Sequence, residues 1–319
     1  MEKRVIMRIF VTGGAGFIGS NLVDTLLAQG HTVTVYDNLS SGNKDFLTPH
    51  HKNPHFTFKK ADLLKPTTLT AAMKDHDLVI HLAANPFVRL GETQTDLDLT
   101  QGTIATHNVL EAMRTNHITD IIYSSSSVVY GETTGQLLPE TYGPTLPISL
   151  YGAGKLGGEG LISAYVGTFD LHAWIYRFAN VVGRHGTHGV IVDFIQKLRN
   201  DPKTLEILGN GTQRKPYLYV TDCIDGMLHG YHHSNKPIQV YNLSCTTTTT
   251  VTRIAELVTQ EMGLQEVQFH YTGGDRGWKG DVPTFQLDPT AMHTLGWTAT
   301  YTSDQAVQKA IQDTLQAKI

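Results

Sequence analysis

The chain has 319 residues, 40% of them hydrophobic, enough apolar material to bury a substantial core in one large domain or two smaller ones. A formal charge of −4 and an isoelectric point near 6.4 leave no basic excess, which argues against a nucleic-acid partner. Only two cysteines, Cys223 and Cys245, are present, so no disulfide framework is expected; with no signal peptide and no apolar run of transmembrane length, a cytoplasmic protein that contacts no membrane is expected.

In chain order, Met1 to Ile6 read as a peripheral extension or an upstream start, and residues 7 to 12 as a short strand. Gly13-Gly14-Ala15-Gly16-Phe17-Ile18-Gly19 follows at once, and Ser20 to Ala28 carries Leu22, Val23, Leu26 and Leu27 at helical spacing. Strand, glycine turn and helix in this order suit a pyrophosphate resting at a helix N-terminus, with Gly13, Gly16 and Gly19 allowing the turn, the close approach and tight helix packing. A second strand, His31 to Tyr36, closes with Asp37, eighteen residues beyond Gly19. An acidic side chain there accepts hydrogen bonds from a ribose diol and repels a 2′-phosphate, which favours NAD.

A third strand is expected over Phe56 to Lys60, leading to Asp62-Leu63, then a short helix from Pro66 to Asp75 and a buried strand from Leu78 to Ala84. A long helix is expected from Asp98 to Asn116, and a fifth strand from Asp120 into the run Ser124-Ser125-Ser126-Ser127. Ser149 to Thr168 is the next helix and Leu171 to Phe178 the sixth strand, and this rhythm implies a parallel, doubly wound α/β sheet of the Rossmann type. After Val181 the rhythm breaks. Helices are expected at Val190 to Asn200, Arg253 to Met262 and Ser303 to Gln316, with a short strand from Tyr217 to Val220 rejoining the core and a threonine loop, Thr246 to Thr250. The expected division is a cofactor domain of residues 1–178 plus about 217–244, and a smaller α/β substrate region of 179–216 plus 245–319, with a binding cleft in the gap.

Tyr151 and Lys155 stand four apart on one helix and share a face. A phenol is a poor base at neutral pH, and a neighbouring ammonium favours the phenolate. The same helix is unusual in carrying Gly152, Gly154, Gly157, Gly158 and Gly160, each costing ~1 kcal/mol relative to alanine, so it must be held by close packing against the sheet or a partner subunit. Histidine is abundant, at 16, but His50-His51, His185-x-x-His188 and His232-His233 lie among polar residues without metal-ligand spacing, so no metal is expected.

With these residues placed, the chain resembles the extended short-chain dehydrogenase/reductase family, in particular its NAD-dependent nucleotide-sugar epimerases of the UDP-glucose 4-epimerase type. The likeness spans Thr12 to Gly19, His81-Leu82-Ala83-Ala84, Ser124 to Gly131, Tyr151-x-x-x-Lys155 and Arg177-Phe178-x-Asn180-x-x-Gly183. The resemblance implies Tyr151 as acid/base, Lys155 as the residue that binds the nicotinamide ribose and lowers the tyrosine pKa, and Ser126 as the hydroxyl at the reacting sugar oxygen. It implies tightly bound NAD held by Gly13, Ala15, Gly16, Phe17, Ile18, Gly19, Asp37, Asn38, Ser40, Gly42, Asp62, Leu63, Leu82, Ala83, Ala84, Ser124, Tyr151, Lys155 and Phe178. Asn180, Val190, Lys215, Tyr217, Arg276 and Phe285, with Ser126 and Tyr151, are implied to face a UDP-sugar, Arg276 at the diphosphate, and Phe285 to favour a sugar 2-hydroxyl over an N-acetyl group.

Some positions depart from the family pattern. Gly102 falls near an asparagine that relatives place beside the nicotinamide, Lys215 stands where many have arginine, leaving Arg214 or Lys215 to reach phosphate, and Pro86 stands where some bacterial relatives have lysine near the diphosphate. Ser127 and Val128 occupy places where dehydratases and decarboxylases of the family carry acids. The expectation is C4 epimerisation of UDP-glucose and UDP-galactose by a homodimer, ahead of a hexuronate or N-acetylhexosamine epimerase, a dehydratase or decarboxylase, and a non-catalytic cofactor sensor.

Overall fold

The computed structural model describes residues 6–133 and 135–317; residues 1–5 of the expected N-terminal extension lie outside these. Seven strands, β1 (Arg8–Thr12), β2 (Thr32–Asp37), β3 (Phe56–Lys60), β4 (Leu78–His81), β5 (Asp120–Ser126), β6 (His172–Phe178) and β7 (Ile238–Leu243), form one sheet in the order β7-β6-β5-β4-β1-β2-β3. β1 runs parallel to both β2 and β4, β2 to β3, and β4 to β5, so the strand order reverses direction at β1. This is the switch point at which a doubly wound sheet binds its ligand, beyond the carboxyl ends of the strands. Between the strands run α1 (Phe17–Ala28), α2 (Pro66–Met73), α3 (Ala105–Thr115) and α4 (Leu150–Phe169).

Compactness divides the chain into two units. The first holds the residues up to Val129, Ser149–Tyr176 and Tyr231–Val240; the second holds Tyr130–Ile148, Arg177–Gly230 and the chain from Tyr241 onward. In the first, Phe10, Val79, Ile121 and Ile175 of the strands bury their side chains against Leu69 of α2, Val109 and Met113 of α3, and Ile162 of α4. Strands covered by helices need such near-continuous apolar runs. In the second, α5 (Val190–Asn200), α6 (Val220–His233), α7 (Val251–Glu261), α8 (Thr290–Thr294) and α9 (Ser303–Gln316) are the helices, and Ile195, Leu198, Ile254, Val258, Val307 and Ile311 of α5, α7 and α9 share one core.

The structure departs from the sequence reading in several places, among them the following. The fourth strand ends at His81: Leu82 N–H makes the last ladder bond, to Thr12 O at 3.2 Å, and the next N–H, of Ala83, leaves the ladder for the Thr12 hydroxyl at 3.3 Å. The helix expected from Asp98 opens with a π turn, Leu99–Ile104, before α3 begins. Tyr217–Tyr219 does not rejoin the large sheet; it pairs with Asn180–Val182 in a separate two-stranded ladder, and Val220 starts α6. β7, a strand of the large sheet, is an element the apolar periodicity did not signal.

The five glycines near the start of α4 separate by what they touch. A Cβ on Gly154 would sit 2.6 Å from the Asp98 backbone oxygen, one on Gly157 2.9 Å from Thr103 Oγ1, and one on Gly158 2.3 Å from the Tyr123 hydroxyl. Gly152 is buried in the first turn, where its N–H donates to the capping Ser149 Oγ, whereas a Cβ on Gly160 would meet nothing within 4 Å. Gly154 therefore lets α4 approach the backbone just before the π turn, while Gly157 and Gly158 leave room for the side chains of Thr103 and Tyr123.

Candidate active site

The cofactor-side residues assemble within the first unit. Gly13, at φ +71°, passes so near Ala83 that a Cβ would lie 2.7 Å from its nitrogen, and a Cβ on Gly19 would lie 2.2 Å from Gly13 O. Gly16 precedes Phe17 and Ile18 at the N-terminus of α1, where no side chain caps the helix and no acid stands in the first turn. Its unsatisfied N–H groups and dipole suit a phosphate. Asp37 ends β2 and accepts from Ala15 N–H at 3.0 Å and from Leu39 N–H at 2.8 Å. Burial raises its carboxyl above the usual range, opposed by those two donors. Gly42 closes on the same place, since its Cβ would lie 3.1 Å from Asp37 Oδ1 and from Ala15.

Asn38 Nδ2 donates to Asp62 Oδ2 at 3.2 Å, Ser40 N–H to Asn38 Oδ1 at 2.9 Å, and Asn108 Nδ2 to Leu63 O at 3.0 Å, so the predicted adenine-side residues also form one connected rim. Glycine contact without room for a Cβ, an open helix terminus and a buried acid at the end of β2 are what a dinucleotide needs. The residues present fit NAD.

Thr12, Leu82 and Ala83 meet at the ends of β1 and β4 through a directional chain of hydrogen bonds. Thr106 donates to Gly102 O at 2.6 Å, so it accepts from His81 Nε2 at 3.0 Å; His81 Nδ1 then accepts from Thr12 Oγ1 at 2.7 Å, and Thr12 accepts from Ala83 N–H at 3.3 Å. That direction needs a neutral imidazole. Burial, and then the charge of Lys155, push His81 down to about 3.

The catalytic candidates meet where β5 faces α4. Lys155, 4% exposed, donates from Nζ to Ser124 O at 2.6 Å and to Ser124 Oγ at 3.4 Å; Ser124 Oγ in turn donates to His81 O at 3.2 Å. Lys155 Nζ lies 5.8 Å from the Tyr151 ring centroid and 5.0 Å from that of Tyr123. Ser126 lies close enough to the Tyr151 hydroxyl to favour its ionised form. Burial pushes the Tyr151 phenol up to about 12, the charge of Asp98 adds to the rise, and Ser126 opposes it. Burial also lowers the Lys155 ammonium to about 8, opposed by Glu159 and then Asp98.

The sequence reading missed Asp98 and Glu159. Asp98 is 2% exposed; Oδ1 accepts from Asn85 Nδ2 at 3.0 Å and Oδ2 has no hydrogen-bond partner. Burial raises its carboxyl, opposed by Asn85 and Lys155. Glu159 continues the spacing of Tyr151 and Lys155 by another four residues, a signal that was available in the sequence.

The substrate-side candidates fall in the second unit, as does Phe178 at the end of β6. Asn180 stands opposite Tyr217 in their ladder, and the two side chains are hydrogen-bonded. Lys215 Nζ meets Asp281 Oδ1 at 2.5 Å, and Asp281 Oδ2 accepts from Gly277 N–H at 3.3 Å beside Arg276. Arg276 pairs with Glu132. Phe285 is buried and its N–H reaches Arg214 O at 3.4 Å, while Val190 packs in the same apolar cluster as Tyr217. Arg214 is exposed and Lys215 half-buried. Among the described residues no three His, Cys, Asp or Glu side chains are grouped to hold a metal ion, and no helix is long and apolar enough to cross a membrane.

A nucleotide cradle at the switch point of a doubly wound sheet, with Tyr, Lys and Ser one strand away, defines a dinucleotide-dependent oxidoreduction site. Residues 9–244 match the model of the NAD dependent epimerase/dehydratase family, and the chain belongs to that family, within the extended short-chain dehydrogenases/reductases. A putative UDP-glucose 4-epimerase of Methanocaldococcus jannaschii is 32% identical over 295 residues, 91% of this chain and 92% of its own length. Among solved structures, a UDP-galactose 4-epimerase superposes with a TM-score of 0.88 at 38% identity, over 98% of this chain and all of that one. A UDP-N-acetylglucosamine 4-epimerase of Methanobrevibacter ruminantium gives 0.87 at 27% identity, over 97% of this chain and 98% of its own.

Proposed function

We propose that the chain interconverts UDP-glucose and UDP-galactose by inverting C4 through a transient 4-keto sugar. The observation that carries this reading is the meeting of Tyr151, Ser126 and Lys155 at the end of β5, beside the glycine cradle. NAD, held by that cradle, supplies a hydride acceptor that returns the hydride within the same cycle. Tyr151 removes the proton from the sugar 4-hydroxyl and later restores it; Ser126 orients that oxygen. Lys155 keeps a positive charge beside the phenol and Ser124 fixes the ammonium's position. The lowering by Lys155 that the family likeness implies is not seen: burial, with Asp98, holds the ligand-free phenol at about 12, and a positive charge on the ring of a bound cofactor would act against that rise.

Asn180, Val190, Tyr217, Lys215, Arg276 and Phe285 are proposed to hold the nucleotide and sugar, Arg276 by its planar fork at the diphosphate. The residue division into a cofactor domain and a substrate region is proposed on the same grounds. Ser127 and Val128 offer no carboxylate for the second proton transfer of a dehydratase or decarboxylase. The 2-hydroxyl preference rests on Phe285, a bulky side chain proposed to crowd the sugar 2-substituent.

A homodimer is proposed through α4 and the π turn with α3, where Gly160 and Gly167 are open and Leu99, Ile104 and Phe169 expose apolar surface. Light scattering at micromolar concentration tests it; a monomer refutes it. The function itself is tested by a UDP-sugar panel assayed for C4 inversion, with denaturation of the protein to release and identify the bound cofactor. Failure to invert UDP-glucose, with NAD present, overturns the proposed reaction.

A further inference from the structure

We infer that Glu159 is a positioning residue of this reaction: its buried carboxylate fixes the end of β5 against α4 and supplies the counter-charge to Lys155. The inference rests on the epimerase reading for its kinetic arm only. Tyr151, Lys155 and Glu159 are successive four-residue steps along one face of α4, and each faces a different serine of β5: Tyr151 lies beside Ser126, Lys155 Nζ donates to Ser124 O at 2.6 Å, and Glu159 Oε1 accepts from Ser125 Oγ at 2.5 Å. Glu159 is 7% exposed and Ser125 is buried, so this contact is shielded from water.

Burying a carboxylate costs several kcal/mol even after relaxation, and a serine hydroxyl returns only part of that. A glutamine would make the same hydrogen bond at less cost. What the carboxylate adds is charge, and the charges that face Lys155 can be named from every element around it. On β4, His81 is neutral; on β5, the buried Tyr123 phenol has its pKa raised; before the π turn, the Asp98 carboxyl is itself raised by burial; on α4, Tyr151 is a phenol in the ligand-free site and Glu159 carries the remaining acid. Glu159 comes first among the charges that oppose the desolvation of Lys155. Neither Glu159 nor Lys155 figures among the influences on the Tyr151 phenol, so the effect of Glu159 on the reaction runs through the place it gives the Lys155 ammonium and the serine strand end.

Glu159→Gln removes the charge and leaves an oxygen that can accept from Ser125, while Ser125→Ala removes the hydrogen bond and leaves the charge. If Lys155, lowered by burial to about 8 in the ligand-free site, sets the alkaline limb of kcat, that limb is expected to move down by about one pH unit in NAD-loaded Glu159→Gln. Activity relative to wild type then falls about tenfold at a pH above the limb and less than about twofold well below it. Ser125→Ala is expected to lower kcat at every pH without moving the limb, and Glu159→Asp to keep the limb where wild type has it.

A readout without substrate separates this inference from the proposed reaction. In protein carrying isotope-labelled lysine, the resonance absent from Lys155→Met titrates near 8 in wild type and about one unit lower in Glu159→Gln. An unmoved limb and an unmoved resonance in folded, NAD-loaded Glu159→Gln overturn the inference. If Glu159→Gln does not fold, Glu159→Asp decides: a limb displaced although the charge is kept overturns it, and a limb in place with reduced kcat supports it.

Discussion

Replacing Gly154 by alanine puts a methyl carbon 2.6 Å from the backbone oxygen of Asp98. Nonbonded heavy atoms are comfortable at about 3.5 Å, so α4 and the segment entering the π turn must part by about 0.9 Å. The obstacle is backbone and cannot rotate away, which places the overpacking cost toward the top of a range of about 1–3 kcal/mol. Against it stands a gain of about 1 kcal/mol from removing glycine from a helix interior. The net expectation is a loss of about 1–2 kcal/mol, a fall in Tm of about 1–3 °C for a chain of this length by scanning calorimetry of the NAD-loaded protein. Because Gly154 lies between Tyr151 and Lys155, the same displacement is expected to lower kcat by up to about a hundredfold. Gly160→Ala is the control: with nothing of its own chain within 4 Å of the added methyl, it is expected to raise Tm by about 1–2 °C where this face is open and to lower it where a second copy packs against it. Repeated at two protein concentrations, that shift also reports whether a second copy covers this face. A Gly154→Ala variant as stable as wild type refutes the packing argument.

Other expectations concern the site and its titration. Tyr151→Phe is expected to retain NAD on denaturing release yet lose at least about a thousandfold in kcat; near wild-type turnover would remove Tyr151 from the acid/base role. Glu132→Gln frees Arg276 from its acidic partner, and if Arg276 binds the diphosphate, KM for the UDP-sugar is expected to fall about two- to fivefold, with no change leaving Arg276 outside the diphosphate site. Phe285→Ser should admit sugars with a 2-N-acetyl group; a wild-type enzyme that already turns these over well sinks the assignment. His81 titrates at about 3 in the folded protein, below its ordinary 6.5, so the unfolded chain takes up the proton first as pH falls. The stability it contributes is whole above 6.5 and is lost between 6.5 and 3, by about 1.4 kcal/mol per pH unit. His76 and His188, also lowered by burial, act in the same direction, while Asp37 and Asp98, raised by burial, oppose it. Urea midpoints at pH 7 and 5.5 should therefore fall more steeply in wild type than in His81→Gln, and equal slopes would contradict the neutral imidazole.

Apolar runs were enough to place the central strands β1, β2, β4, β5 and β6, because strands buried on both faces have little polar alternation, whereas the edge strand β3, Phe56 to Lys60, was read from its alternating phenylalanines. The glycine loop and Asp37 were legible for a different reason: their chemistry is local, a turn and the end of the next strand. β7 was not legible, since Gln239 and Asn242 interrupt its apolar residues and its place is decided by pairing with a distant strand. Nor was the π turn, whose extra residue depends on how closely Gly102 and Gly154 approach, a contact between segments some fifty residues apart. The serines could be counted but not assigned, because which one meets Tyr151, Lys155 or Glu159 depends on the height of α4 above β5.

That height has the character of a vernier. Four helical residues advance about 6.0 Å, and two strand residues advance about 6.6 Å. The step from Tyr151 to Lys155 therefore nearly equals the step from Ser126 back to Ser124, and both pairs close together. A single residue inserted into α4 between Tyr151 and Lys155 would turn the later side chain by about 100° and advance it about 1.5 Å. One inserted between Ser124 and Ser126 would slide the strand end by about 3.3 Å and reverse the faces. A loop elsewhere in the chain can lengthen without disturbing this match, whereas between these two pairs of residues a change in either scale is useful only if the other changes with it.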